Sequence, residues 1–375
     1  MFFSLSSVPF NSCVQLESPA EALDFPVGDL ELGYCPRCDF ITNVSFDAGR
    51  VEYSQRYEET QAYSETFNQF HELLARELID RHGLRGAKIV EIGCGKGEFL
   101  SLLCSLGGNT GLGYDPGYQP RDGHGDDSAD VTFVKDFYTE ASPPIEAEFI
   151  CCKMTLEHIH QPARFVSMIR AAIPPQQHPV VFFQVPDALR IFTMGAFEDV
   201  YYEHCSYFSA TALRTLFANC GFQVLDVDTV YGGQYLTLTA TPADTGHVPQ
   251  PSPPLLSLSI LKKEFSAVFD ERRSAWSQYL QLLQDAGGRA VLWGAGSKAV
   301  AFLSALRGVG GLSYAVDISP RRQGHYLPGS GVQIVAPEFL CEYRPQLVII
   351  MNSIYQQEIA TRLGALGLSP ELVSL

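Results

Sequence analysis

Between residues 88 and 241, short β-branched and aromatic runs alternate with helix-compatible segments. The runs 88–92, 110–114, 131–134, 148–152 and 180–185 have strand length, and a last pair, 223–229 and 235–241, reads as a hairpin closing the sheet. This alternation predicts an α/β fold, a doubly wound parallel sheet with an antiparallel edge. Just upstream, Phe67, Phe70, Leu74, Leu78 and Ile79 recur near helical spacing. Residues 1–55 show no such period and read as a small irregular region with a β flavour. Residues 242–256 hold five prolines and suit neither helix nor sheet interior, so they read as a linker. Beyond them the pattern predicts a long helix over 258–285, with Leu261, Phe265, Val268, Trp276 and Leu283 on one stripe. A second α/β unit follows, giving a predicted organisation of 1–55, 56–241, the linker 242–256, and 257–375.

The densest signal lies where the first strand stops. Ile89-Val90-Glu91-Ile92 runs into Gly93-Cys94-Gly95-Lys96-Gly97, and a helix start follows at once. Glycines at that spacing let a ligand lie against bare backbone. Glu91 beside the turn repels a pyrophosphate but suits a cationic ligand bearing an amino group and a sulfonium. The next strand ends in Asp115, about 20 residues on, where a ribose diol would be gripped. The pair resembles the S-adenosylmethionine site of the Rossmann-like (class I) methyltransferases. Asp136, after the third strand, is a candidate partner for the adenine amino group. The competing reading of the turn is an ordinary tight connection.

Composition narrows the class. At 375 residues the chain exceeds one ordinary core, and 46% hydrophobic against 18% charged residues leaves ample material to bury. No apolar stretch has membrane-spanning length, and the opening residues lack the basic start of a secretion signal. With 26 Lys+Arg against 42 Asp+Glu, the net charge of −16 disfavours nucleic acid or an anionic membrane as partner. Ten scattered cysteines, two of them adjacent, suggest reduced thiols and a cytoplasmic setting.

A second cluster falls between the fifth strand and the next helix. Tyr201-Tyr202-Glu203-His204-Cys205-Ser206-Tyr207 gathers tyrosines, a carboxylate and an imidazole where the loops of such a sheet meet their ligand. An imidazole can take a proton from a carbon acidified by a neighbouring carbonyl, or from a hydroxyl. Tyrosine hydroxyls can polarise the carbonyl as enolate charge develops. The bland alternative is an aromatic patch that packs a loop. His158, in Leu156-Glu157-His158-Ile159, is a second acid–base candidate or a shaper of the pocket floor.

Taken in order, a Cys35-x-x-Cys38 front, the Glu91–Gly97 turn, the Tyr201-x-Glu203-His204-x-Ser206-Tyr207-Phe208 run and a trailing Rossmann-like unit resemble the C-methyltransferases of deoxysugar biosynthesis. That resemblance implies a small-molecule acceptor, a nucleotide-linked 4-keto sugar, with His204 as the base that forms an enolate and with Glu203 and Tyr201 assisting. It makes Tyr57 and Tyr207 candidate substrate contacts. It also directs attention to Gly294, Gly296 and Lys298 for the nucleotide end, since backbone N–H groups and an ammonium suit a diphosphate. The family holds a structural zinc with two Cys-x-x-Cys pairs. Here Cys35 and Cys38 match one pair, while upstream there is only Cys13, with Leu16 where its partner would be. Tetrahedral zinc needs four ligands, so loss of the metal is the simpler expectation. Other readings are methylation of another small metabolite on oxygen or carbon, an NAD-dependent oxidoreductase using the second glycine turn and Asp317, and a non-catalytic binding protein.

Overall fold

The runs of residues 88–242 pair into one seven-stranded sheet in the computed structural model, which describes residues 1–53, 56–119, 130–244 and 258–375. Its order is Phe222–Val230, Tyr235–Pro242, Val180–Pro186, Phe149–Lys153, Lys88–Ile92, Thr110–Tyr114 and Val131–Val134. All neighbours are parallel except Tyr235–Pro242, which runs antiparallel to the strands on both sides. The last strand in sequence is therefore inserted inside the sheet, and the one before it forms the edge. Order reverses at Lys88–Ile92, so the crevice beyond its carboxyl end is the natural ligand position. The residues of the expected linker from 245 onward lie outside the described residues.

Helix Glu65–His82 starts because the Ser64 side chain accepts from the Phe67 N–H, and it ends at Gly83 with φ +64°. Its Phe67, Leu74, Ala75, Leu78 and Ile79 are buried. The last four of these join Ile89, Phe99, Leu103 and Phe149 in one core on that side of the sheet.

Residues 1–53 are more ordered than their sequence pattern suggests. Strands Phe3–Pro9, Val27–Cys35 and Phe40–Asn43 form an antiparallel sheet whose fourth strand, Ser206–Phe208, comes from the Tyr-x-Glu-His run. Helix Leu258–Asp285 packs across this sheet through edge-on contacts of Phe3 with Phe265 and Phe269. It leads into a five-stranded parallel sheet of order Gln333–Val335, Leu312–Val316, Ala290–Trp293, Leu347–Ile350, Glu371–Ser374. No helix among the described residues is long and apolar enough to cross a membrane.

Candidate active site

The carboxyl ends of the two parallel sheets face a common cleft of about 510 Å³. The first glycine turn forms one wall. Gly93, Gly95 and Gly97 sit at φ +74°, +55° and +76°, a region that side chains resist. A Cβ on Gly93 would drive into the Thr155 side chain, and one on Gly95 would lie 2.9 Å from a Glu59 carboxylate oxygen. The turn must stay bare for a ligand to approach. Gly93 and Gly95 line the cleft, whereas Gly97 caps the next helix behind them.

Asp115 accepts N–H bonds from Gly95 at 2.9 Å and Gly117 at 2.7 Å, and it lines the same wall. Burial raises its pKa, while those two donors oppose the shift. Glu91 is 2% exposed, and its Oε2 has no hydrogen-bond partner. Burial pushes it up to about 7, partly offset by Lys153. Lys153 is itself pulled down to about 8 by burial, and its ammonium sits 2.9 Å from His71 Nε2 and 3.5 Å from the Phe99 ring centre. Lys96 reaches main-chain oxygens of Tyr57 and Gly117, so the cation of the turn is spent on the protein. A buried carboxylate with one oxygen unpartnered, a bare turn and an acid at the next strand end fit a ligand with a positive amino-acid end and a ribose. Asp136 is exposed at the rim and accepts from the Phe137 N–H at 2.8 Å.

On the opposite wall His204 is 5% exposed, with Nε2 2.8 Å from the Tyr201 hydroxyl. Burial, then His158 and Lys298, hold its pKa well below the ordinary value, so the imidazole is neutral. The His158 ring lies edge-on at 4.8 Å between centroids. Its Nδ1 is 2.8 Å from the Tyr53 hydroxyl, and the ring also hydrogen-bonds the Glu203 main chain. Burial brings its pKa to about 4. With its ring engaged on two sides, His158 is fixed in place as pocket floor.

Glu203 does not orient the His204 ring. Its carboxylate accepts from Asn11 Nδ2 at 3.2 Å, from the Ser12 N–H at 3.1 Å, from the Ser12 hydroxyl and from the Tyr57 hydroxyl at 3.1 Å. It fastens residues 11–12 and Tyr57 under the loop that carries the histidine. Tyr57 lines the cleft; Tyr207 does not, being 2% exposed in the apolar core with its hydroxyl on the Tyr201 carbonyl.

The second glycine turn closes the cleft. Gly294, Gly296 and Lys298 all line it, and Lys298 pairs with Asp199, which also meets Arg190 at 3.3 Å. Asp317 accepts from the Ala295 and Ser319 N–H groups and lies 3.4 Å from Arg322. The three cysteines considered for zinc do not assemble among the described residues. Cys13 sits in the cleft against Ser297 Oγ at 3.4 Å, whereas Cys35 and Cys38 flank the tip of the hairpin formed by Val27–Cys35 and Phe40–Asn43. Burial pushes the Cys38 thiol up to about 11. The Glu157, His158 and His204 donor atoms do lie within 4.8 Å of one another, and a tyrosine hydroxyl engages one nitrogen of each imidazole.

Several lining groups were not singled out by the sequence. Tyr53, Glu59, Glu157 and Arg322 reach the cleft from separate segments; Glu157 stood inside the run quoted for His158, and Glu59 and Arg322 lie in no motif.

Comparison with known proteins gives two family matches along the chain. Residues 62–227 match the family described as "Methyltransferase domain", and residues 258–367 match "C-methyltransferase C-terminal domain". The chain is 28% identical over 300 residues to the C-methyltransferase NovU of Streptomyces niveus, covering 75% of this chain and 70% of that protein. Among solved structures, a Burkholderia thailandensis 1,6-didemethyltoxoflavin-N1-methyltransferase has a TM-score of 0.38 at 18% identity, over 48% of this chain and 82% of that one. The magnesium protoporphyrin IX methyltransferase of Synechocystis has a TM-score of 0.37 at 13% identity, over 48% and 84%. With likenesses that low, the fold assignment stands on the strand order itself.

Proposed function

The chain belongs to the S-adenosylmethionine-dependent C-methyltransferases, and from that premise we propose that it methylates a carbon of a nucleotide-linked keto-deoxysugar through an enolate formed by His204. The observation that carries this reading is the neutral, buried imidazole of His204 on the cleft wall opposite the bare glycine turn. The methyl donor, when bound, supplies an electrophilic methyl group on a sulfonium. Glu91 and Asp115 hold its amino-acid and ribose ends, with Gly93 and Gly95 offering bare backbone and Asp136 lying toward the adenine.

In the tautomer that carries its proton on Nε2, 2.8 Å from the Tyr201 hydroxyl, His204 has a free lone pair on Nδ1. That nitrogen takes the proton from the carbon beside the ketone, and the C–H electron pair moves into the enolate. Held by Glu91 and Asp115, the donor would supply the methyl group that the enolate carbon takes, the S–CH₃ electron pair staying with sulfur. Tyr201 keeps the ring in position, and Glu203 holds the loop through Asn11, Ser12 and Tyr57. We assign residues 56–241 to the cofactor and the chemistry, 1–55 to covering the acceptor, and 257–375 to enclosing its nucleotide end near Gly294, Gly296 and Lys298.

Proton loss and methyl transfer are separable on this route. Wild-type enzyme given a nucleoside-diphosphate 4-keto sugar in heavy water should exchange deuterium into the target carbon, read by NMR. A positioned general base contributes about 10²–10⁴-fold, so His204→Ala should lose exchange and methylation by that factor while still binding S-adenosylhomocysteine. Near wild-type exchange in His204→Ala would assign the base elsewhere, and an oxygen-methylated product would end the carbon-transfer reading.

A further inference from the structure

Glu157 is a buried acid for which the steps above find no use. It stands in the short turn Leu156–His158 that follows strand Phe149–Lys153, is 1% exposed and lines the cleft. Neither carboxylate oxygen has a hydrogen-bond partner in another residue. Its main-chain carbonyl receives the Cys205 thiol at 3.6 Å, which ties the turn to the segment carrying His204. A carboxyl oxygen of Glu157 and a ring nitrogen of His204 lie within 4.8 Å of one another, and both residues line the cleft.

Among the described residues, no cation stands with the groups that face it. Tyr53, Cys152, Tyr201, Cys205 and Tyr235 interact with it electrostatically, and the His158 and His204 rings are neutral. An ionised carboxylate in that setting would be desolvated with nothing to balance it. The group therefore rests as the neutral acid, its pKa pushed up to about 8 by burial. A carboxylic acid held neutral in an apolar site is a hydrogen-bond donor, and next to a carbon acid it meets the need that enolate formation creates.

We propose that Glu157, as the protonated acid, donates a hydrogen bond to the acceptor's carbonyl oxygen and holds the negative charge that develops there as His204 removes the proton. This rests on the enolate reading above. The balance is simple: the C–H proton goes to His204, the electron pair moves to the oxygen, and the Glu157 proton stays on Glu157, shared with that oxygen. Methyl transfer returns the electron pair to carbon and relaxes the hydrogen bond.

The test is deuterium exchange and methylation with a nucleoside-diphosphate 4-keto sugar, measured across pH 6–9.5 for wild type, Glu157→Gln, Glu157→Leu and His204→Ala, with S-adenosylhomocysteine affinity by calorimetry for each. Loss of one oxyanion donor costs about 10²–10³ in kcat, so Glu157→Leu should lose that much exchange while its S-adenosylhomocysteine affinity holds. Glu157→Gln keeps an N–H donor and should stay within about tenfold of wild type. In wild type, exchange should fall as pH rises through the ionisation of Glu157, and Glu157→Gln should lack that alkaline limb. Should Glu157→Leu fail to fold, the limb in Glu157→Gln decides alone. Wild-type exchange in a folded Glu157→Leu, an unchanged limb in Glu157→Gln, or a bound divalent metal that Glu157→Gln releases along with activity would overturn the proposal. If wild type itself exchanges no keto sugar, or His204→Ala exchanges normally, it is the enolate reading that fails first.

Discussion

At the first glycine turn, Asp115 accepts from Gly95 at 2.9 Å and from Gly117, two residues on, at 2.7 Å. At the second, Asp317 accepts from Ala295 at 2.9 Å and from Ser319, again two residues on, at 2.8 Å. The backbone geometry is the same to within a tenth of an ångström; the company differs. Arg322 is 8% exposed, stands 3.4 Å from Asp317 and gives a further hydrogen bond to the Glu58 carbonyl at 2.6 Å. Asp115 has no ion-pair partner among the described residues; the Lys96 ammonium hydrogen-bonds main-chain oxygens and acts on the acid only through its field. The first acid keeps lone pairs for hydroxyl donors, whereas the second has them met by a cation. Two copies of one strand–turn–helix device thus suit different ligands, and the side chains around the acid decide which.

The largest effect expected from this contrast is on stability. Asp317→Ala would strand the buried Arg322 guanidinium without its carboxylate, a change that costs about 3–5 kcal/mol, read by denaturant unfolding. A loss under about 1 kcal/mol would mean the second turn does not depend on its ion pair. Next comes Asp115→Ala, which removes a charged acceptor for the ribose diol and should weaken S-adenosylhomocysteine by about 1.5–3 kcal/mol, tenfold or more, in calorimetry. Folded Asp317→Ala should bind it as wild type does, and equal losses in the two variants would erase the distinction. The smallest effect is a pH dependence peculiar to the first turn. Glu91 lies at about 7 in the free protein, and the form that pairs with an ammonium is the ionised one. Affinity for S-adenosylhomocysteine should therefore fall with decreasing pH below 7, by at most about tenfold per unit, and Glu91→Gln should flatten that slope. A slope that survives in Glu91→Gln would place the titrating group elsewhere.

The sheet strands were legible because their short runs stand apart from the helix-compatible segments between them. Residues 88–92, 110–114 and 131–134 coincide with the observed strands residue for residue. The long helix was equally legible over Leu258–Asp285, but its fully buried residues are Leu258, Phe265, Phe269 and Leu280, because it packs against two different surfaces and not along a single stripe. The N-terminal sheet was not legible. Its register depends on a three-residue strand from far along the chain, and three residues carry no period. The same limit hid the contacts of Glu203. Its type and position suggested work on the imidazole, and only the fold brings Asn11 and Ser12 to its carboxylate. Glu157 was hidden differently: its spacing is ordinary, and what sets it apart is the lack of any partner.

The pairing of Ser206–Phe208 with Phe40–Asn43 also sets an order of assembly. The Thr42 hydroxyl donates to the Cys205 carbonyl at 2.8 Å across 163 residues of chain. During synthesis the hairpin of Val27–Cys35 and Phe40–Asn43 leaves the ribosome long before the strand that completes it, with one edge open to whatever it meets. The cofactor wall, drawn from residues 88–115, can close on itself in the meantime. The wall that carries His204 is finished only when residue 208 has emerged and returned to the beginning, so the glycine-turn wall can take shape before the imidazole that will face it is in place.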